Sequence, residues 1–131
     1  AKSGPQDLPT LPPCTLTTEI KMADIRTGPS LASIVRERGE AMAVAWVSEV
    51  IQNANLLCGS AMDHKVVTMC AQMILDRFKF RTTNALLMAV KDGMNNGKIY
   101  GKLTYPVLSE WLIDHEEKAE AYAYSQHLGT K

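Results

Sequence analysis

The residues best suited to chemistry lie near the C-terminus. "WLIDHEEKAE" sets Asp114, Glu117 and Glu120 at intervals of three. On a helix these carboxylates share a face, where they could hold a divalent cation or exchange protons. The apolar residues of the same stretch fall on the other side, so the carboxylates read as a solvated face with nothing to desolvate them. His64, His115 and His127 form no HExxH or other ligand spacing, and the last two stand about 120° apart on a helix. His115 lies on the apolar side and reads as a hydrogen-bonded core histidine. Cys14, Cys58 and Cys70 are an odd set without a CxxC pair, so neither a disulfide framework nor a four-thiolate zinc site can be drawn. Cys70 falls in an apolar helical pattern and reads as packing. No GxSxG elbow is present, and "GKIYGK" lacks the spacing of a phosphate-binding loop. The sequence thus assigns no catalytic residue, no metal ligand and no cofactor, and reads as a non-enzyme.

The stronger signal is basic. Arg77, Lys79, Arg81, Lys91, Lys98 and Lys102 face only Asp76 and Asp92 in the same segment, with Phe78, Phe80 and Tyr100 interleaved. Lysine and arginine can neutralise phosphates, and aromatic faces can stack on unpaired bases. Arg77, Lys79, Arg81, Lys91, Lys98, Tyr100 and Lys102 are therefore the candidate contacts to nucleic acid or to a partner. The plainer explanation is that cations at helix C-termini offset the macrodipole while aromatics cover core. The chain's last helical pattern is acidic in turn, with Glu110, Asp114, Glu116, Glu117 and Glu120 against Lys118.

These residues must be positioned by a small body. A chain of 131 residues with 46% apolar composition suits one domain with one core. Fourteen basic residues balance 14 acidic ones, so no global field draws the chain to nucleic acid or to an anionic membrane, and any such contact is local. The longest apolar run, Ala41 to Ile51, is too short to span a bilayer, and the N-terminus lacks an apolar signal core. A cytoplasmic location without membrane contact is the expectation.

Residues 1–29 carry Pro5, Pro9, Pro12, Pro13 and Pro29 without an apolar period, the composition of an extended arm. Residues 30–131 read as a single helical domain. Ser30 caps "LASIVRER", Gly39 stops it, and Glu40 opens a helix to about Asn55 that is apolar nearly all round. A third helix after Asp63 aligns Val67, Cys70, Ile74 and Phe78, and a fourth from about Asn84 buries Leu86, Leu87, Val90 and Met94. Met42, Met69, Met73, Met88 and Met94 read as core gap-fillers. Gly97 and Gly101 shape a tight connector. Thr104 and Pro106 then open a last helix whose stripe runs through Leu108, Trp111, Leu112, His115, Ala119 and Tyr122. The expected fold class is all-α: a compact bundle of four to five helices with an extended proline-rich N-terminal arm.

"PSLASIVRERGEAMAVAWVSEVI", "ILDRFKF" and "NNGKIYGKLTYPVLSEWLIDH" together resemble small uncharacterised helical proteins encoded by phages and mobile elements of gut bacteria. The resemblance covers about residues 29 to 115. It is most specific in a closing GKxYGxL…WL signature, matched by Gly97, Lys98, Tyr100, Gly101, Leu103, Trp111 and Leu112. The chain departs from the pattern at His115, where an aromatic is common, and at Met94 and Asn95, where a glycine and a basic residue are common. The resemblance carries over no activity. By size and layout it implies kinship of role with phage replication accessory proteins, hence contact with DNA or a DNA-bound replication protein through the basic corner. The alternative is a protein–protein adaptor or assembly component that uses the N-terminal arm and the acidic last helix.

Overall fold

The computed structural model describes residues 11–16, 20–96 and 102–129. Gly97, Lys98, Tyr100 and Gly101 of the connector, together with residues 1–10 and 17–19 of the arm, lie outside the described residues. The chain forms a short 3-10 helix, Met22–Asp24, and five α-helices. They are α1 (Leu31–Arg38), α2 (Glu40–Leu57), α3 (His64–Arg77), α4 (Thr83–Asn96) and α5 (Tyr105–Gly129). No strand is present among the described residues; one isolated bridge joins Ser30 to Thr82. The all-α bundle is thus what the structure shows.

Capping chemistry sets the early boundaries. The Ser30 side chain accepts a hydrogen bond from the Ser33 amide at 3.1 Å, which starts α1. Gly39, at φ 95°, ends α1 in a left-handed conformation and precedes the first residue of α2. Helix α2 is central and packs against α1, α3 and α4. Its Ala43, Val47, Val50 and Ala54 are wholly buried. In its last turn, the buried Asn55 accepts from the Met62 amide at 3.0 Å and so holds the turn into α3. That turn carries Ser60, whose hydroxyl accepts from the Leu103 amide at 3.0 Å and fixes the entry to α5.

The described part of the arm lies on the body. Trp46 Nε1 donates to the Pro12 carbonyl at 2.8 Å, and Asn53 donates to that of Cys14 at 2.9 Å. Leu16 and Ile25 are buried. Thr82 donates to the Ile25 carbonyl, and Asn84 to that of Asp24 at 3.0 Å.

Helix α5 is buried through Val107, Leu108, Ser109, Trp111, Leu112 and His115. Ala119 and Tyr122 are half-buried, and residues 124–128 are exposed. Its contact with α4 is unusually close, because Gly93 offers no side chain there. A Cβ at Gly93 would lie 2.1 Å from Trp111 Cδ2 and 2.3 Å from Cγ. Those atoms sit near the root of the indole and cannot swing away.

The methionines correct the sequence reading. Met88 and Met94 are half-buried, but Met42, Met69 and Met73 are 45%, 59% and 49% exposed. On α3 the core takes Val67, Cys70, Ala71, Ile74 and Leu75, and the two methionines fall on the other side of the helix.

Gly93→Ala is expected to destabilise the protein by about 1–3 kcal/mol through overpacking, although alanine is favoured in a helix by roughly 1 kcal/mol. Urea denaturation measures the loss, which should shrink in a Trp111→Leu background; an unchanged midpoint in the single variant contradicts the close-packing account.

Candidate nucleic-acid interface

The basic corner is built by backbone pairing. The first turn of α1 leaves amides without intrahelical partners, and the α3–α4 corner supplies carbonyls for them. Leu31 donates to the Arg81 carbonyl at 2.8 Å and Ala32 to that of Lys79 at 2.7 Å, while the Thr83 amide returns a bond to the Pro29 carbonyl at 2.9 Å. Lys79, Phe80 and Arg81 are therefore held in a fixed loop.

The two arginines of the corner face the protein. Their guanidinium carbons lie 5.3 Å (Arg77) and 5.2 Å (Arg81) from the centroid of the buried Phe78 ring. Arg77 Nη1 donates to Ser109 Oγ at 2.8 Å. Arg81 donates to the Leu112 carbonyl at 3.4 Å and forms an ion pair with Glu116. Together they tie the end of α3 to α5.

The outward-facing pair is Lys79 and Phe80. Lys79 Nζ stands 5.4 Å from the Phe80 centroid, and Phe80 is 80% exposed. Phe80 also lines a groove of about 330 Å³ with Arg26, Arg81, Thr82, Glu116 and Glu120. Arg26 was missed by sequence reasoning, since nothing in its neighbours ties it to a segment more than fifty positions away. Phe80 was noted only as an interleaved aromatic; its exposure follows from Phe78 taking the core site.

The remaining predicted contacts are dispersed. Lys91 is half-buried on α4. Lys102 is exposed beside Leu103, which is bonded to Ser60 before the start of α3. Arg77 ends that helix, about 20 Å along its axis. Lys98 and Tyr100 lie outside the described residues. Trp111 and Leu112 are core, as expected.

The other reactive groups are accounted for by burial. Burial, with the charge of Glu49 adding, pushes the Cys14 thiol up to about 11, and burial also raises Cys58 and Cys70. Such thiols stay protonated at neutral pH. Asp114, Glu117 and Glu120 are exposed, and among the described residues no group of three or more His, Cys, Asp or Glu side chains could hold a metal ion. No described helix is long and apolar enough to cross a membrane.

His115 departs from expectation in one respect. It is a core residue at 2% exposure, yet neither ring nitrogen has a hydrogen-bond partner in the protein; Asp92 Oδ2 lies 3.6 Å from Nε2. The neighbouring Trp111 Nε1 is likewise without a partner, and both rings line a pocket of about 80 Å³. The close approach of α4 and α5 at Gly93 buries these polar atoms without a protein partner.

Desolvation lowers the His115 pKa below its ordinary 6.5; Asp92 on α4 opposes the shift, and Arg81 at the corner and Lys118 on α5 add to it. The unfolded chain therefore binds a proton more readily than the folded one. The stability that neutral His115 allows is fully present above about pH 6.5 and is lost as pH falls toward the lowered folded value. Urea midpoints should therefore fall as the pH is lowered below about 6.5. His115→Gln should flatten that slope, and an identical slope in the variant removes His115 as its cause. Compared with known proteins, the chain matches no family model, no curated protein and no solved structure.

Proposed function

We propose that the chain is a non-enzymatic helical accessory protein of a phage or mobile element. In this reading it is associated with replication and contacts DNA through the α3–α4 corner. The observation that carries the reading is Phe80: an aromatic ring 80% exposed on a backbone-braced loop, with the Lys79 ammonium 5.4 Å from its centroid. A ring so placed can stack on an unpaired base while the adjacent cation meets the phosphate, a mode that tolerates any sequence. Arg26 in the adjoining groove adds positive charge from a second element. The resemblance to phage and mobile-element proteins supports the replication setting.

Single-stranded DNA is the ligand that this arrangement favours, because a stacked base must first be free of its pair. The test is fluorescence anisotropy with a labelled single-stranded oligonucleotide over a range of salt. Phe80→Ala is expected to weaken binding by roughly 5- to 100-fold, the worth of one stacked base. Lys79→Glu should make the salt dependence shallower by about 0.7 in the logarithmic slope, that of one phosphate contact on a single strand. Absence of binding at low salt, or equal affinity in both variants, overturns the reading and leaves a protein ligand for the corner.

A further inference from the structure

The outer face of α3 carries an apolar line that nothing in the described chain covers. Val66, Met69 and Met73 follow one another at helical steps of three and four and are 44%, 59% and 49% exposed. They run for about 10 Å along the helix. Methionine in such a position is flexible and polarisable, and it adapts to an opposing surface rather than demanding one shape.

The charges around this line are arranged to complement themselves. Lys65 and Asp76, both exposed, lie on one flank near opposite ends of the helix. When two copies of a helix meet antiparallel about a two-fold axis, each flank meets its own copy and each end meets the other end. Lys65 of one copy would then face Asp76 of the second, and Asp76 of the first would face Lys65 of the second. The register agrees as well. The midpoints of Val66 and Met73 and of Lys65 and Asp76 both fall between Met69 and Ala71. One axis position therefore satisfies the apolar contact and the charged flank, with Met69 packing near its own copy.

We propose that the outer face of α3 is a self-association surface that pairs two copies of this chain in an antiparallel, two-fold arrangement through Val66, Met69 and Met73. The occupant is a second copy because the flanking charges complement each other only when one end of the helix meets the other. Nucleic acid is disfavoured on this face by Asp76. One helix pair covers less than a standard interface, so the dimer is weak and concentration-dependent. The inference does not rest on the nucleic-acid reading, which concerns Phe80 and Lys79 at the corner.

Sedimentation velocity from low micromolar to millimolar protein tests it, with circular dichroism confirming that each variant is folded. The native chain should shift from monomer to dimer as concentration rises. Met69→Glu, which sets like charges across the axis, should weaken the dimer roughly tenfold or more. Lys65→Glu should also weaken it, and adding Asp76→Lys should restore it, because the exchanged pair is again complementary. A native chain monomeric throughout overturns the proposal, as does a dimer that survives Met69→Glu. A dimer that Met69→Glu breaks but the charge exchange does not restore overturns the antiparallel pairing.

Discussion

The structure depends on one exchange of backbone hydrogen bonds. Helix α1 begins with donors that its own turn cannot use, and the α3–α4 corner ends with carbonyls that no helix can use. Placing the two together satisfies both, through Leu31 and Ala32 on one side and Arg81 and Lys79 on the other. The consequence extends well beyond these bonds. With Thr82 donating to Ile25 and Asn84 to Asp24, the end of the arm, the start of α1 and the start of α4 share one junction. Phe80 is presented from that junction, so its exposure is a property of a braced loop.

A second constraint acts at the other side of the bundle. Helix α5 is long, but only its first half has a wall to lie on, and that wall is α4 at Gly93. Removing the side chain at Gly93 brings the Trp111 indole nearly onto the α4 backbone. That approach buries His115 and Trp111 deeply enough that their nitrogens find no protein partner. Polar groups in this state oppose folding. The site holds because Leu108, Leu112 and Val90 around it are almost wholly buried.

Much of this was legible in the sequence, and the reasons differ by element. Periodicity identified the inward residues of α2, α3, α4 and α5 because burial selects apolar side chains on one face. Ser30 and Gly39 marked boundaries because their local chemistry is decisive. What a single chain could not show was which apolar residues lack a partner. Met69 and Met73 obey helical spacing as well as Cys70 and Ile74 do, and only the packing of α2 against α3 separates the inner from the outer set. His115 was legible as core, but its missing hydrogen bonds were not, since they depend on where packing leaves Asp92, whose Oδ2 stays 3.6 Å from Nε2. Arg26 joined the corner only once the arm had folded back.

A count of cations along the segment overstates the charge that a ligand would meet there. The guanidinium group is planar and weakly hydrated, so it can lie over an aromatic ring and still hydrogen-bond at its edge; the ammonium group is compact and strongly hydrated. That difference sorts the corner. Arg77 and Arg81 lie over the buried Phe78 and bond to α5, with Arg81 neutralised by Glu116, while Lys79 stands over an open ring. The exposed positive charge is therefore narrow, and it borders Glu116 and Glu120 across the groove. On the nucleic-acid reading, such a surface disfavours a duplex laid along α5, whose phosphates would meet those carboxylates. It suits a strand that crosses the corner, touching Lys79 and Phe80 and turning away.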